Sequence, residues 1–405
     1  MIGDVTKGEN LLPITEHQSP PHASRLTPHA SPRIALVAGE ISGDYLGAGL
    51  IDSLRTRYPD AVFEGVAGPA MRAAGCQPLA DIEALSLFGI AEIAGQIPRL
   101  LALRRSLLRH FLAHRPDVFV GIDAPAFNTG LERRLRRAGI PTVHYVCPTA
   151  WAWRQGRVRG LRRAVDLMLA IFPFEEAFFA AHRVPVRYVG HPLADTLSPC
   201  RDKLALRKSL GLTPERRWLA VLPGSRGSEV QRLGPVFIDS LARLVRRFPR
   251  LGLVAPMASP ALRARFQAQC AALAPQLDLR LIDGAAREVL GAADVALVTS
   301  GTATLEAMLL GTPMVVAYVI SPLTYHLVTG LRLVHGQFAS MPNLLAGRAL
   351  VPELLQAQAR PELIALWAQR LLDSSRARAA QTQAFAALRR QLRCDANRNA
   401  AAAVA

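Results

Sequence analysis

From Ile34 onward, short apolar runs alternate with Gly- or Pro-marked turns and amphipathic stretches of helical length, and the series runs twice. The first series predicts strands at 34–38, 62–66, 118–122, 142–145, 167–170 and 186–189, with helices at 46–58, 97–114 and 130–138 among those between them. The second predicts strands at 218–222, 251–255, 279–282, 295–299 and 314–319. Strands and helices that alternate at these lengths imply parallel sheets with crossover helices. The expectation is an α/β chain of two Rossmann-like domains whose parallel sheets face an interdomain cleft, where ligands bind in such folds. Residues 191–207 break the rhythm with two Pro and read as a linker. The N-terminal domain is placed at 32–196, the C-terminal domain at 197–360 and a helical Ala/Arg-rich tail at 361–405. That tail is expected to pack back across the domains or onto the partner subunit of a homodimer. The first 31 residues are polar, rich in Pro and His, and read as a disordered extension without a secretory signal.

At 405 residues the chain is long for one core and comfortable for two domains. Half its residues are hydrophobic and 20% are charged, which excludes a disordered chain. The formal net charge of +17 favours an anionic partner, although a basic complement with only three Lys (Lys7, Lys203, Lys208) partly reflects genome composition. Five scattered Cys without a Cys-x-x-Cys argue against a disulfide framework or a structural zinc site and fit a reducing cytosol. No Asp-x-Asp occurs and the His residues do not cluster, so no metal and no cofactor are expected. The longest stretch without Asp, Glu, Lys or Arg, 307–331, is interrupted by Gly and Pro and reads as helix end, buried strand and new helix.

Four turns at predicted strand ends carry candidate chemistry. Ser300, Gly301 and Thr302 follow a buried strand and open a helix, so backbone N–H groups there form a ready anion site. Glu306 lies about one turn further in, where a carboxylate could accept from a sugar hydroxyl; an N-capped helix with a solvated Glu explains the same residues. At Gly224-Ser225-Arg226-Gly227, two Gly let a phosphate approach the backbone and Arg226 offers a bidentate fork, or the segment is a surface turn. Glu40 and Ser42, in GEISGD, form a polar turn without the G-x-G-x-x-G dinucleotide fingerprint. Asp123 ends the run VFVGI and is followed by Asn128, which with Glu40 and Ser42 is expected to line the acceptor side of the cleft. A lone acid there is either a general base at the cleft or an indirect cap for the helix predicted from Gly130.

Two further stretches point outward. Leu87, Phe88, Ile90 and Ile93 are more apolar than one core-facing stripe requires, and Arg99, Arg104 and Arg105 follow. An apolar wedge beside a basic cluster suits an anionic bilayer surface, and a buried helix pair is the alternative. The Trp151–Arg159 stretch interleaves aromatics with Arg; a cleft wall or an Arg patch facing phosphates is preferred to nucleic-acid binding, since the chain holds only four Trp.

Read together, GEISGD (39–44), VAGPAMRAAGC (66–76), FGIAEIAG (88–95), VFVGIDAPAFN (118–128), HYVCPTAWAWRQGRV (144–158), LPGSRGSEV (222–230), SGTATLEAMLLGTPMVVAY (300–318) and SMPNLLAGR (340–348) resemble the lipid-A-disaccharide synthase family. The resemblance runs from about residue 34 to about residue 399. It implies an inverting, metal-free glycosyltransferase of the two-domain GT-B type. The implied donor is UDP-2,3-diacylglucosamine and the acceptor 2,3-diacylglucosamine 1-phosphate, joined through a β-1,6 linkage. The implied place is the cytoplasmic face of the inner membrane, with the protein peripheral to it. The same resemblance puts Gly301, Thr302 and Arg226 on the diphosphate, Glu306 on the ribose, Asn343 at the donor pocket and Asp123 as base for the acceptor 6-hydroxyl. A UDP-sugar epimerase shares the fold but needs no membrane wedge, and a non-catalytic regulator would bind UDP without turnover.

Overall fold

Strands whose every residue is buried need cover on both faces, and crossover helices supply it. The computed structural model describes residues 31–85, 90–151, 155–200, 202–321 and 338–405. Its N-terminal sheet is seven-stranded, wholly parallel and ordered β3-β2-β1-β4-β5-β6-β7. The strands are β1 (Arg33–Ala38), β2 (Val62–Ala67), β3 (Gln77–Asp81), β4 (Val118–Ile122), β5 (Thr142–Tyr145), β6 (Leu167–Ala170) and β7 (Val186–Tyr188). The second sheet is six-stranded, also parallel, and ordered β10-β9-β8-β11-β12-β13. It comprises β8 (Trp218–Leu222), β9 (Gly252–Met257), β10 (Leu279–Asp283), β11 (Val295–Thr299), β12 (Met314–Tyr318) and β13 (Glu353–Leu355).

Each sheet reverses its strand order once, between β1 and β4 and between β8 and β11. In open α/β sheets the crevice beyond such a reversal is where ligands bind. Glu40 follows β1, Asp123 follows β4, Gly224–Arg226 follow β8 and Ser300–Thr302 follow β11. All four candidate turns therefore lie at the two switch points.

Two strands escape the sequence reading. β3 is almost wholly exposed, and β13 is three residues long. Neither carries the buried apolar run that marks the central strands. The linker segment is partly helical, at Pro192–Thr196 and Lys203–Ser209. Helix α1 (Ile41–Arg57) starts inside GEISGD, with Glu40 as N-cap and ISGD as its first turn, and buried Asp44 accepts the backbone N–H groups of Gly68, Ala70 and Met71 at 2.8, 2.8 and 3.2 Å. That carboxylate caps α2 (Pro69–Ala73) from a neighbouring element. Helix α3 spans Ile90–Ala113.

The last helices tie the halves together. Phe385 and Leu392, on helix Ser375–Leu392, and Ala400 and Val404, on helix Ala396–Val404, share one buried core with Leu36 of β1 and Ala220 of β8. Asp195 caps the final helix by accepting the N–H groups of Asp395 and Ala396 at 3.1 and 2.7 Å. Among the described residues no helix is long and apolar enough to cross a membrane.

Candidate active site

The C-terminal switch point opens into a cavity of about 530 Å³ lined by Gly224, Arg226, Arg287, Gly301, Thr302 and Glu306 among others. That volume suits a nucleotide-sized ligand. Thr299 locks its rim, its hydroxyl donating to Leu222 O of β8 at 2.9 Å. Helix Thr302–Leu309 points its N-terminus into the cavity with Gly301 as N-cap and no side chain closing it. Its first N–H groups and its dipole therefore favour an anion.

The β8 turn is built differently from its expected phosphate cradle. Glu229, on helix Gly227–Arg247, reaches back and accepts the N–H groups of Ser225 and Arg226 at 3.0 and 3.2 Å. Its other oxygen accepts Arg226 Nη1 at 3.0 Å. Gly224 makes this possible: its φ is +129°, and a Cβ there would stand 2.4 Å from Glu229 Cβ. The turn's two N–H groups are thus already satisfied. Arg226, 76% exposed at its side chain, is the part of the turn free to reach a ligand.

Glu306 lines the cavity and accepts Arg287 Nε at 2.8 Å. Sequence reasoning gave Arg287 and Glu229 no role. Arg287 follows the turn Asp283-Gly284-Ala285 at the end of β10, a strand-end Gly of the kind that marked the other turns. Asn343 is placed away from the cavity wall. It is buried, donates to Val351 O at 3.0 Å and Glu353 Oε1 at 2.8 Å, and accepts from Leu350 N and Val351 N at 2.7 and 2.8 Å. With every bond internal, it pins the segment entering β13.

At the N-terminal switch point, Asp123 and Ala124 both adopt positive φ, 52° and 43°, and helix α4 (Pro125–Arg137) follows. The helix predicted from Gly130 starts a turn earlier, and Asp123 does not cap it. Asn128 accounts for the loop's shape. Fully buried, it donates from Nδ2 to Asp123 O at 2.8 Å and Val37 O at 3.2 Å, so it supports the loop from below the cleft surface. Burial, then a hydrogen bond and repulsion from Glu40, push the Asp123 carboxyl up to about 6. Glu40 is exposed and accepts the Ser42 hydroxyl at 3.1 Å. The arrangement holds a half-buried carboxylate, with a proton affinity near neutrality, at a sheet edge.

Of the proposed surface wedge, Leu87 and Phe88 lie outside the described residues, as do the side chains of Ile90 and Ile93 on α3. Arg99 and Arg105 are exposed on α3. Burial, then repulsion from Arg134, Arg105 and Arg133, depresses the proton affinity of Arg104. The α3–α4 seam is therefore a dense positive surface.

Fold and site together define a two-domain GT-B chain, the architecture of nucleotide-sugar glycosyltransferases and epimerases. Solved structures agree at the level of fold: the glycosyltransferase of kitacinnamycin (TM-score 0.59, 17% identity, 91% of this chain and 97% of that one), and UDP-GlcNAc 2-epimerase from Neisseria meningitidis bound to UDP-GlcNAc (TM-score 0.61, 12% identity, 86% and 94%). Sequence relatives are far more similar. Lipid-A-disaccharide synthase of Sodalis glossinidius is 52% identical over 371 residues, 92% of this chain and 97% of that one. The Pseudomonas aeruginosa PAO1 enzyme is 50% identical over 372 residues with the same coverage. The family model for lipid-A-disaccharide synthetase matches residues 34–404. The chain belongs to the lipid-A-disaccharide synthase family, glycosyltransferases of lipid A biosynthesis.

Proposed function

We propose that the chain condenses UDP-2,3-diacylglucosamine with 2,3-diacylglucosamine 1-phosphate, with the donor nucleotide in the C-terminal cavity and the acceptor at the N-terminal switch point. The observation that carries this is the division of the cleft. A nucleotide-sized anion-favouring cavity ends one sheet, and a carboxylate with raised proton affinity ends the other. Asp123 takes the proton of the acceptor 6-hydroxyl. The oxygen attacks the anomeric carbon from the face opposite UDP, and the bond to the diphosphate breaks with its electron pair leaving on UDP. Arg226 and the N-terminus of helix Thr302–Leu309 meet that charge, and Glu306 accepts from the ribose. Incubation of the purified protein with both lipids, followed by mass spectrometry, tests the reading. UDP with a disaccharide 1-phosphate is expected. An epimerised UDP-sugar without a new glycosidic bond would overturn it.

The acyl chains require a membrane-facing surface, placed at the cytoplasmic face of the inner membrane. Ile41, Tyr45 and Ile97 are 67%, 70% and 48% exposed beside the N-terminal switch point and along α3. The Arg104 cluster, further along α3 than Ile97, is a site for lipid phosphates. Changing Leu87, Phe88, Ile90 and Ile93 together to Ser should abolish flotation with anionic liposomes and leave the thermal melt in place. A variant that unfolds, beside a wild type that never floats, would make these residues core.

A further inference from the structure

Beneath the Asp123 loop lies a buried polar group that the reaction as described does not use. His144 on β5 and Glu132 on α4 are both fully buried and joined by a 2.6 Å contact between Nδ1 and Oε1. The pair passes over β4 at Gly121, the residue in register with His144 and two before Asp123. A Cβ at Gly121 would stand 2.2 Å from Glu132 Oε1 and 3.0 Å from Asn128 Cβ. Only a glycine in that strand lets the carboxylate lie across it. Asn128, which holds the Asp123 carbonyl, completes the cluster. Among the described residues, Asn128 Oδ1, Glu132 Oε2 and His144 Nε2 are buried with no hydrogen-bond partner. A polar cluster this costly beside a candidate base calls for a role.

We propose that His144, locked by Glu132 across Gly121, is a positioning residue that acts through Asp123: a buried group beneath the Asp123 loop that favours the ionised form of the base. This rests on the reading of Asp123 as the base. Burial alone would drive the imidazole neutral, but the charge and hydrogen bond of Glu132 outweigh it, with Asp123 adding to them, and the net direction is upward. Glu132 in turn is pushed up by burial and held down by His144. On Asp123 itself, burial and Glu40 raise the proton affinity while the Ala124 backbone and His144 lower it. Without the imidazolium, Asp123 would hold its proton to higher pH.

The double variant His144→Gln with Glu132→Gln keeps the volumes and avoids a lone buried charge. The acidic limb of kcat/KM, expected near 6 in the wild type, should move to higher pH, because His144 lowers the proton affinity of Asp123. On the alkaline plateau kcat should stay within about threefold of wild type, because the base itself is untouched. A limb that does not move, or a loss equal at every pH, would overturn the proposal. Asp123→Asn in parallel separates the two readings. An inactive Asp123→Asn beside an unmoved limb removes only the role of His144, and an active one removes the base. Should the double variant fail to fold, ¹⁵N shifts of histidine-labelled wild type decide. One of the 10 rings still doubly protonated above the ordinary imidazole range is expected, and a spectrum with every ring neutral there would overturn the proposal.

Discussion

The two switch points of this molecule share a topology and differ in what their side chains are arranged to do. At the N-terminal one, two acids face the cleft, Glu40 and Asp123, and the polar groups behind them are fully buried. At the C-terminal one, an open cavity carries two Arg, and each is already bound to an acid: Arg226 to Glu229 and Arg287 to Glu306. Like charges side by side raise a proton affinity, which suits a group that must take up a proton. Opposite charges side by side keep an empty anion site close to neutral, and the cations remain in place for a ligand that displaces or shares their partners. The fold supplies the two locations; the pairing of charges assigns them different work.

The comparison breaks most sharply at Asp123. Asp123→Asn should cost about 10²–10⁴ in turnover, the loss expected of a general base, and leave UDP affinity unchanged by calorimetry. A variant that keeps more than about a third of wild-type turnover, far above that expectation, would make Asp123 a structural residue. The two switch points would then not differ in kind.

On the C-terminal side the expected effects are on binding. Arg226→Ala and Glu306→Ala should each weaken UDP by about tenfold to a hundredfold, the worth of a charge-assisted contact of about 1.5–3 kcal/mol. Arg226→Ala also removes the ion-pair partner of Glu229 beside the proposed diphosphate. Adding Glu229→Gln to it should therefore recover part of the loss, and no recovery would show that the ion pair does not tune the site. Unchanged affinity in both single variants would remove the diphosphate and ribose assignments together.

The central strands were legible because each is a continuous apolar run ended by a small or polar residue, as in WLAVL before Pro223 and VALVT before Ser300. The turns were legible for the same reason. The edges were not: β3 and β13 lack a buried run, and their pairing is set by tertiary context. The cluster at His144 and Glu132 was silent because each residue sits in an ordinary-looking segment, TVHY on a strand and LERR on a helix, and only the fold brings them together. Asn343 differs from both: the family resemblance puts it at the donor pocket, and in the structure its amide bonds face inward against β13.

Asn343 therefore gives a prediction about stability instead of binding. Asn343→Ala strands the N–H groups of Leu350 and Val351 and deprives Glu353 of a donor. Each unsatisfied buried group costs about 1–3 kcal/mol, so the melting temperature should fall by several degrees or more. UDP affinity of the folded fraction should hold within about threefold, under 1 kcal/mol. An unchanged melt with lost UDP affinity would return Asn343 to the donor pocket and weaken the contrast between a lined cavity and its support.

The smallest expected effect is none, and it tests the same contrast through metal dependence. A divalent ion on a diphosphate needs carboxylate oxygens of the protein. On the cavity wall Glu229 accepts from Arg226 and two backbone N–H groups, and Glu306 accepts from Arg287. Glu288 is the carboxylate on that wall with no ion pair among the described residues. Cations and a helix N-terminus already complement the departing charge, so chelation by EDTA should leave turnover unchanged. A sharp loss restored by Mg²⁺ would overturn the assignment of charge stabilisation to Arg226 and the helix. Glu288→Gln would then sharpen the result, because an ion seated on this wall should lose its effect when the unpaired carboxylate is removed.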